Sequence, residues 1–425
     1  MTRVYVGSGE VPPSGFDVRL VLGEHIYTGS SDFQQKFGSP TTLESDWLNL
    51  AAAVFAVDRG LQRGAREDIS RRIELSVPIV NVTQIQPLLP EIERVLRSLS
   101  NDSWRLIVRQ QNGVPESTFS AQSSGGKTLL FSGGLDSLAA AFEFGGNSHL
   151  HLVSHITRNQ QTRSTQHELV TILSQSGLTL PHDQFFVSSR DADNFDHDIE
   201  STQRTRSFLF MVLGALVARR LGHEKVLMIA ENGQLAIHLS LNHARVGAFS
   251  THTAHPDVLA MMQHILRTSV AVTFELLNPY VYRTKSEVIE SLWKNLPTSI
   301  PVANSCWKNT RLPGGTTHCG ECIPCYVRRI GIEKHGTNKT AYARDVFSQN
   351  VPSLPPTDEG RRNLVDLCEF VVRFKDQSDL DLMSDWPELY SPNMDAAQAI
   401  QMYRRASQEA VAVLSQYAGV APLLQ

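Results

Sequence analysis

Apolar and polar positions follow two different periods along this chain. Near the N-terminus, FDVRLVLG and RRIELSVPIV alternate residue by residue, the second at Ile73, Leu75 and Val77, which predicts strands. Between them DWLNLAAAVFAVDRGL reads as a helix, with Ser45 or Asp46 as its cap. EIERVLRSLS predicts another helix and WRLIVRQQ a further strand, and the polar, Gly/Ser-rich NGVPESTFSAQSSGGK reads as a linker. From Lys127 onward apolar runs and helical segments take turns. Strands are expected at TLLF, HLHLVSHI (149–156), DQFFVSS (183–189), KVLMIAEN (225–232) and VTFELLNP (272–279), with RSFLFMVLGALVARRLG and PDVLAMMQHILRTS as intervening helices. That alternation predicts an α/β fold, a doubly wound parallel sheet with ligands at the carboxyl ends of its strands. After Cys325 the pattern is helical, ending in MDAAQAIQMYRRASQEAVAVLSQYAG, and no internal repeat is visible.

Composition changes this picture little. The chain has 425 residues, 41% of them hydrophobic and 19% charged, as expected of two or three globular domains. The net charge of -4 leaves no electrostatic footprint for nucleic acid. No run approaches the roughly 18 apolar residues that a membrane span needs. MTRVYVGSGEVPPSG lacks the basic-then-apolar layout of a signal peptide, so a cytoplasmic location is expected.

The first candidate chemistry is the turn Ser132–Ser137 in KTLLFSGGLDSLAAAFEF, where an apolar strand breaks into Ser-Gly-Gly-Leu-Asp-Ser and then into a small-residue helix. Gly133 and Gly134 let the backbone turn and approach a ligand, so that successive N–H groups form an anion nest at a helix N-terminus. Ser132 and Ser137 can donate to phosphate oxygens. Asp136 would repel a bare phosphate, so a Mg²⁺ nucleotide is expected. GGKT, Gly125 to Thr128, looks like the end of a P-loop. It has Ala121 where glycine is required and precedes its strand, so it is set aside.

The second is the run NSCWKNTRLPGGTTHCGECIPCYVRR, with Cys306, Cys319, Cys322 and Cys325 spaced C-x12-C-x2-C-x2-C. Four thiols converging on one ion make a closed tetrahedral site, for which structural zinc is the default and an iron–sulfur cluster the alternative. Cys368, in LVDLCEFVV, reads as an inert buried thiol on a helix. His238, His243, His252 and His255 share no consistent helical face and read as lining or core histidines.

SGGLDS after an apolar strand closely matches the loop of the PP-loop ATP pyrophosphatases, and the resemblance runs from Lys127 to Gly336. With SCW…HCGECxxC following, the chain resembles the 7-cyano-7-deazaguanine synthase family (QueC-like). That resemblance implies a PP-loop (HUP-like) ATP-binding domain over 127–300 and a zinc-binding motif over 301–336. An accessory α+β domain (1–120) and a helical C-terminal extension (337–425) flank them. It implies that Ser132, Gly133, Gly134, Leu135, Asp136 and Ser137 bind the ATP phosphates. Asp136, Lys285 and Arg206 would act in catalysis, with Arg204 as the alternative to Arg206, and Ser154–Asn159 would hold the adenosine. Glu231, Asn232, His255 and Asp257 would meet the substrate.

The implied reaction is adenylation of a 7-deazaguanine carboxylate, with zinc, Mg²⁺ and ATP as cofactors. The family's stretch after the fourth strand is replaced by ENGQLAIHLSLNHARVGAFS, which puts the nucleophile in doubt. Long chains with such an N-terminal region resemble family members of bacterial antiphage operons (the QatC type), which implies transfer to a protein amine encoded nearby. Ammonia as acceptor, a PP-loop tRNA-modifying enzyme and a non-catalytic nucleotide-binding partner remain open alternatives, as does a homodimer.

Overall fold

The computed structural model describes residues 1–425 except 12, 64–69, 114–122, 147–148, 191–199, 201–202, 224–225, 242–251, 271–274, 309–311 and 313–314. It is a mixed α/β structure built on two sheets. The first has the order β2-β1-β4-β5, from β1 (Thr2–Gly7), β2 (Val18–Val21), β4 (Arg72–Ile79) and β5 (Ser103–Gln110), and every pairing in it is parallel. The second has the order β10-β9-β6-β7-β8-β3, from β6 (Lys127–Leu130), β7 (Leu150–Ile156), β8 (His182–Ser189), β9 (Val226–Met228) and β10 (Glu275–Leu277). Its five later strands are parallel, and β3 (Ile26–Thr28), from the N-terminal part, closes one edge antiparallel to β8.

This changes the expectation of a separate N-terminal region. The helix Thr42–Gly60 is buried almost all round, including Leu43, Trp47, Ala51–Ala53, Phe55 and Val57, because it packs between the two sheets. A helix without a polar face cannot lie on a surface, so LAAAVFAV already carried that signal. One apolar core joins Val4, Leu75 and Leu106 of the first sheet to Leu130, Val153 and Phe185 of the second. The helix also begins earlier than expected. Thr41 is its cap, in a capping box with Glu44, whereas Asp46 points inward and accepts from the Val80 and Asn81 backbone N–H groups.

The central strands β6 and β7 of the second sheet are buried on both faces, as parallel strands are. Leu129 and Phe131 face a core with the helices Leu135–Gly145 and Lys285–Asn295, while Leu130 faces the helix Arg206–Leu221. Lys127 and Thr128 lie within β6, so GGKT forms no phosphate loop. The expected strands over 183–189 and 272–279 appear as His182–Ser189 and Glu275–Leu277, with residues 271–274 outside the described part.

Beyond the cysteines the helices Glu359–Asp376 and Ala396–Leu414 form the C-terminal part, and Cys368 lies fully buried on the first of them. Among the described residues no helix is long and apolar enough to cross a membrane.

Candidate active site and cysteine cluster

β6, β7 and β8 run outward in one direction, and β9 and β10 in the other. The topological switch therefore lies between β6 and β9, the place where such sheets open a ligand crevice beyond the strand ends. The turn Ser132–Ser137 leaves β6 at this point and Glu231–Asn232 lie just past the end of β9.

The turn is built tightly. Gly133 has φ of 86°, which glycine alone adopts freely, and its carbonyl accepts from Asn304 N–H at 3.0 Å. A Cβ on Gly134 would come within 3.2 Å of the Asn304 carbonyl, so a side chain there would push the cysteine loop away. Ser132 Oγ accepts from Gly134 N–H and lies 3.2 Å from Ser137 Oγ. Buried Gln166 donates to the Ser132 carbonyl and accepts from Gln184, which holds the turn from the β7 side. Neither Asn304 nor Gln166 stood out in the sequence. Asn304 borders the SCW run, but Gln166 gave no signal at all.

Asp136 sits in the first turn of the helix Leu135–Gly145. Its Oδ1 accepts from Lys285 Nζ at 2.6 Å, and its Oδ2 from Asn232 Nδ2 at 2.9 Å and Asn232 N–H at 3.3 Å. Lys285 opens the helix Lys285–Asn295, whose cap Thr284 forms a capping box with Glu287, and its own N–H donates to Gln234 Oε1. Glu231 is fixed through its backbone by Asn278, which donates to its carbonyl and accepts from its N–H. Burial, and then the negative charge of Asp136, push the Glu231 carboxyl up to about 8. Glu231 Oε2 and Asn232 Oδ1 are both buried without a hydrogen-bond partner. Two orphan acceptors beside an ion pair call for a ligand with donors or a cation.

The residues fit a Mg²⁺ ion. A carboxylate has about four lone-pair directions. Three of those on Asp136 are in use, and Glu231 Oε2 is open. Nucleotide phosphates ordinarily complete such a shell.

The other expected residues lie further out. Arg206 donates to His155 Nδ1 at 3.2 Å, at the end of β7, and no hydrogen bond among the described residues links it to Asp136 or Lys285. Arg204 is buried and donates to the Ser100 carbonyl. Ser154 donates to the Phe131 carbonyl, inside the sheet rather than at the crevice. His255 accepts from Asp257 N–H, and the Asp257 carboxylate accepts from Ser391 Oγ at 2.6 Å and Asn393 Nδ2 at 2.7 Å, so Asp257 is tied to the C-terminal part. His243 lies outside the described residues. The helix Ala396–Leu414 braces the crevice. Tyr403 Oη contacts the Gln234 carbonyl and Leu239 N–H, and Glu409 accepts from Thr284 Oγ1 at 3.1 Å.

The four cysteines are buried, with all their Sγ atoms within 4.8 Å of one another. Sγ separations of 3.8 Å for Cys319–Cys325 and 3.4 Å for Cys322–Cys325 are close to the edge of a tetrahedral thiolate site, about 3.8 Å for Zn–S bonds of 2.3 Å. Through hydrogen bonds within the cluster, the Cys306 and Cys319 thiols are held below their ordinary range while Cys322 and Cys325 are pushed up. Four thiolates cannot coexist there without a cation. Fully buried His318 accepts from Ser305 N–H and orders the loop, and Asn363 donates to the Glu321 carbonyl, joining the cluster to the C-terminal part.

Residues 127–336 match the family model described as queuosine biosynthesis protein QueC. No curated protein matches the chain.

Proposed function

We propose, from the match of residues 127–336 to the QueC family model, an ATP-dependent, AMP-forming carbon–nitrogen ligase that adenylates a 7-deazaguanine carboxylate, such as 7-carboxy-7-deazaguanine. The observation that carries the reading is the Asp136 carboxylate held between Lys285 Nζ and Asn232 at the switch point, with two orphan acceptors beside it. A carboxylate becomes an acyl electrophile when its oxygen attacks the α-phosphorus of ATP and the bond to the β-phosphate oxygen breaks. The turn Ser132–Ser137 holds the departing pyrophosphate with its N–H groups and hydroxyls, and Lys285 neutralises charge as it forms. Asp136 and Glu231 would hold Mg²⁺, which would add charge neutralisation at the phosphates. An amine then attacks the carbonyl carbon, the bond to AMP breaks, and the amine gives up a proton. Asn232 Oδ1 is then left to accept from a donor on the substrate's ring.

The acceptor is a protein amine, in a bacterial antiphage setting of the QatC type. The first sheet supports docking of a macromolecule: helices cover one face, and the other carries Arg3, Arg19, Arg105 and Arg109 around Glu10 and Glu74. The test is incubation of purified protein with Mg–ATP and 7-carboxy-7-deazaguanine, with and without ammonium, read by mass spectrometry. AMP together with a mass gain on a neighbouring protein is the expected result. Amide or nitrile from ammonium alone would make it a small-molecule synthase. No AMP under any of these conditions defeats the ligase reading.

A further inference from the structure

Three departures from ordinary satisfied structure fall together on the β9 side of the crevice. Trp307 is 45% exposed, among the few large apolar side chains left open. His238 is a non-glycine residue at φ of 51°, a left-handed conformation that is strained for it. His252 Nδ1 is buried without a partner. The three side chains form one cluster. Trp307 stacks on His238 at 6.3 Å between centroids and 17° between planes, and His252 meets His238 edge-on at 6.4 Å.

The chain places this cluster beside the phosphate turn. Trp307 follows Cys306, three residues after Asn304, whose N–H donates to the Gly133 carbonyl. His238 ends the short helix Gly233–Ile237 that starts from Asn232. Burial draws His238 down to about 4 and His252 to about 3, so both imidazoles are neutral at physiological pH. An aromatic floor, neutral imidazoles and an open ring nitrogen suit no phosphate. They suit a flat, uncharged heterocycle bearing N–H groups.

We propose that Trp307, stacked on His238, and the open Nδ1 of His252 form the seat of the substrate's planar heterocycle, on the opposite side of the phosphate turn from β7. This rests on the ligase reading above and extends it by naming residues that select the acid's ring. Stacking of a base on an aromatic side chain is worth enough to change affinity about tenfold or more.

The test is calorimetric titration of the full-length protein with 7-carboxy-7-deazaguanine and, separately, with a non-hydrolysable ATP analogue. Trp307→Ala should weaken acid binding about tenfold or more, and Trp307→Phe should restore most of it. His252→Ala should weaken the acid about fivefold, and all three variants should bind the ATP analogue within about twofold of wild type. Unchanged acid binding in both Trp307→Ala and His252→Ala overturns the seat. So does an equal loss for acid and nucleotide, which marks a structural role, and so does a loss for nucleotide alone, which would put adenine there. A wild-type protein that binds the nucleotide but not the acid instead overturns the ligase reading, and with it the ligand of this seat.

Discussion

Two buried ionic clusters in this molecule look alike in composition and differ in how completely their carboxylate and amide oxygens are satisfied. In the first, Asp58 and Asp102 meet Arg63 and Arg71. Asp102 accepts from the Arg63 guanidinium on both of its oxygens, from the Arg71 guanidinium on Oδ2 and from Arg71 N–H on Oδ1. Asp58 Oδ2 accepts from Thr205 N–H at 2.8 Å and Thr205 Oγ1 at 3.1 Å, and its Oδ1 pairs with Arg71. In the second, Asp136 pairs with Lys285 and Asn232, but Glu231 Oε2 and Asn232 Oδ1 are left without partners. The first cluster is a strut between the N-terminal part and the helix that starts at Arg206. The second keeps acceptor oxygens that no residue fills. Burial of charge thus separates structure from chemistry only when each lone pair is followed to its partner.

The cysteine cluster is the extreme of incompleteness, four thiols with no counter-charge among them. Cys322→Ser should reduce bound zinc from about one per chain to near none and lower the soluble yield, measured by metal analysis. A soluble, fully active, zinc-free variant would show the ion to be dispensable. Next in size is Asp136→Asn, expected to lower AMP formation about 1,000-fold. Its melting temperature should stay near wild type, because Glu231 can ionise and take over Lys285. Retained activity would remove Asp136 from the chemistry.

Asp58→Asn should do the reverse. It leaves arginine charge uncompensated and should lower unfolding stability by about 3 kcal/mol in urea titration, with little change in AMP formed per folded molecule. If it instead abolishes catalysis at full stability, the contrast between the clusters fails.

A pH-dependent effect comes from Glu231. Its folded-state value, about 8, lies above the ordinary 4.5, so the folded protein holds a proton that the unfolded chain releases. Stability from this group is fully present below about 4.5 and is lost as pH rises toward 8, with a slope of about 1.4 kcal/mol per pH unit. Glu231→Gln should flatten that slope in ligand-free protein, measured by unfolding at several pH values. An unaltered slope would mean that Glu231 is already ionised. Smallest is Glu409, pushed up to about 7 by burial and by Glu287. Glu409→Gln keeps a hydrogen-bond acceptor for Thr284 and should remove the stability loss that Glu409 contributes as pH rises from about 4.5 toward 7, read in the same unfolding series.

Much of this was legible before any coordinates. The β6 strand, the Ser132–Ser137 turn and the four cysteines are local patterns, since a strand ending in two glycines and a CxxC spacing constrain their own backbone. The charge on Asp136 in an anion nest already demanded a counter-charge, and Lys285 was among the residues expected to act there. Its direct pairing with Asp136 was not readable, because the two lie on different helices, 149 residues apart. The same holds for Asn304 against Gly133 and for Gln166 under Ser132.

By itself the sequence determined which segments are strands and helices, where a glycine turn opens a helix N-terminus and which thiols cluster, because period, glycine placement and spacing act over a few residues. Only the tertiary structure decided that β3 joins the second sheet and that the helix Thr42–Gly60 is shared by two sheets. It also decided that Glu231, Asn232 and His252 keep atoms without partners. Those outcomes depend on how distant surfaces pack and on which lone pairs packing leaves over, and no local pattern encodes either.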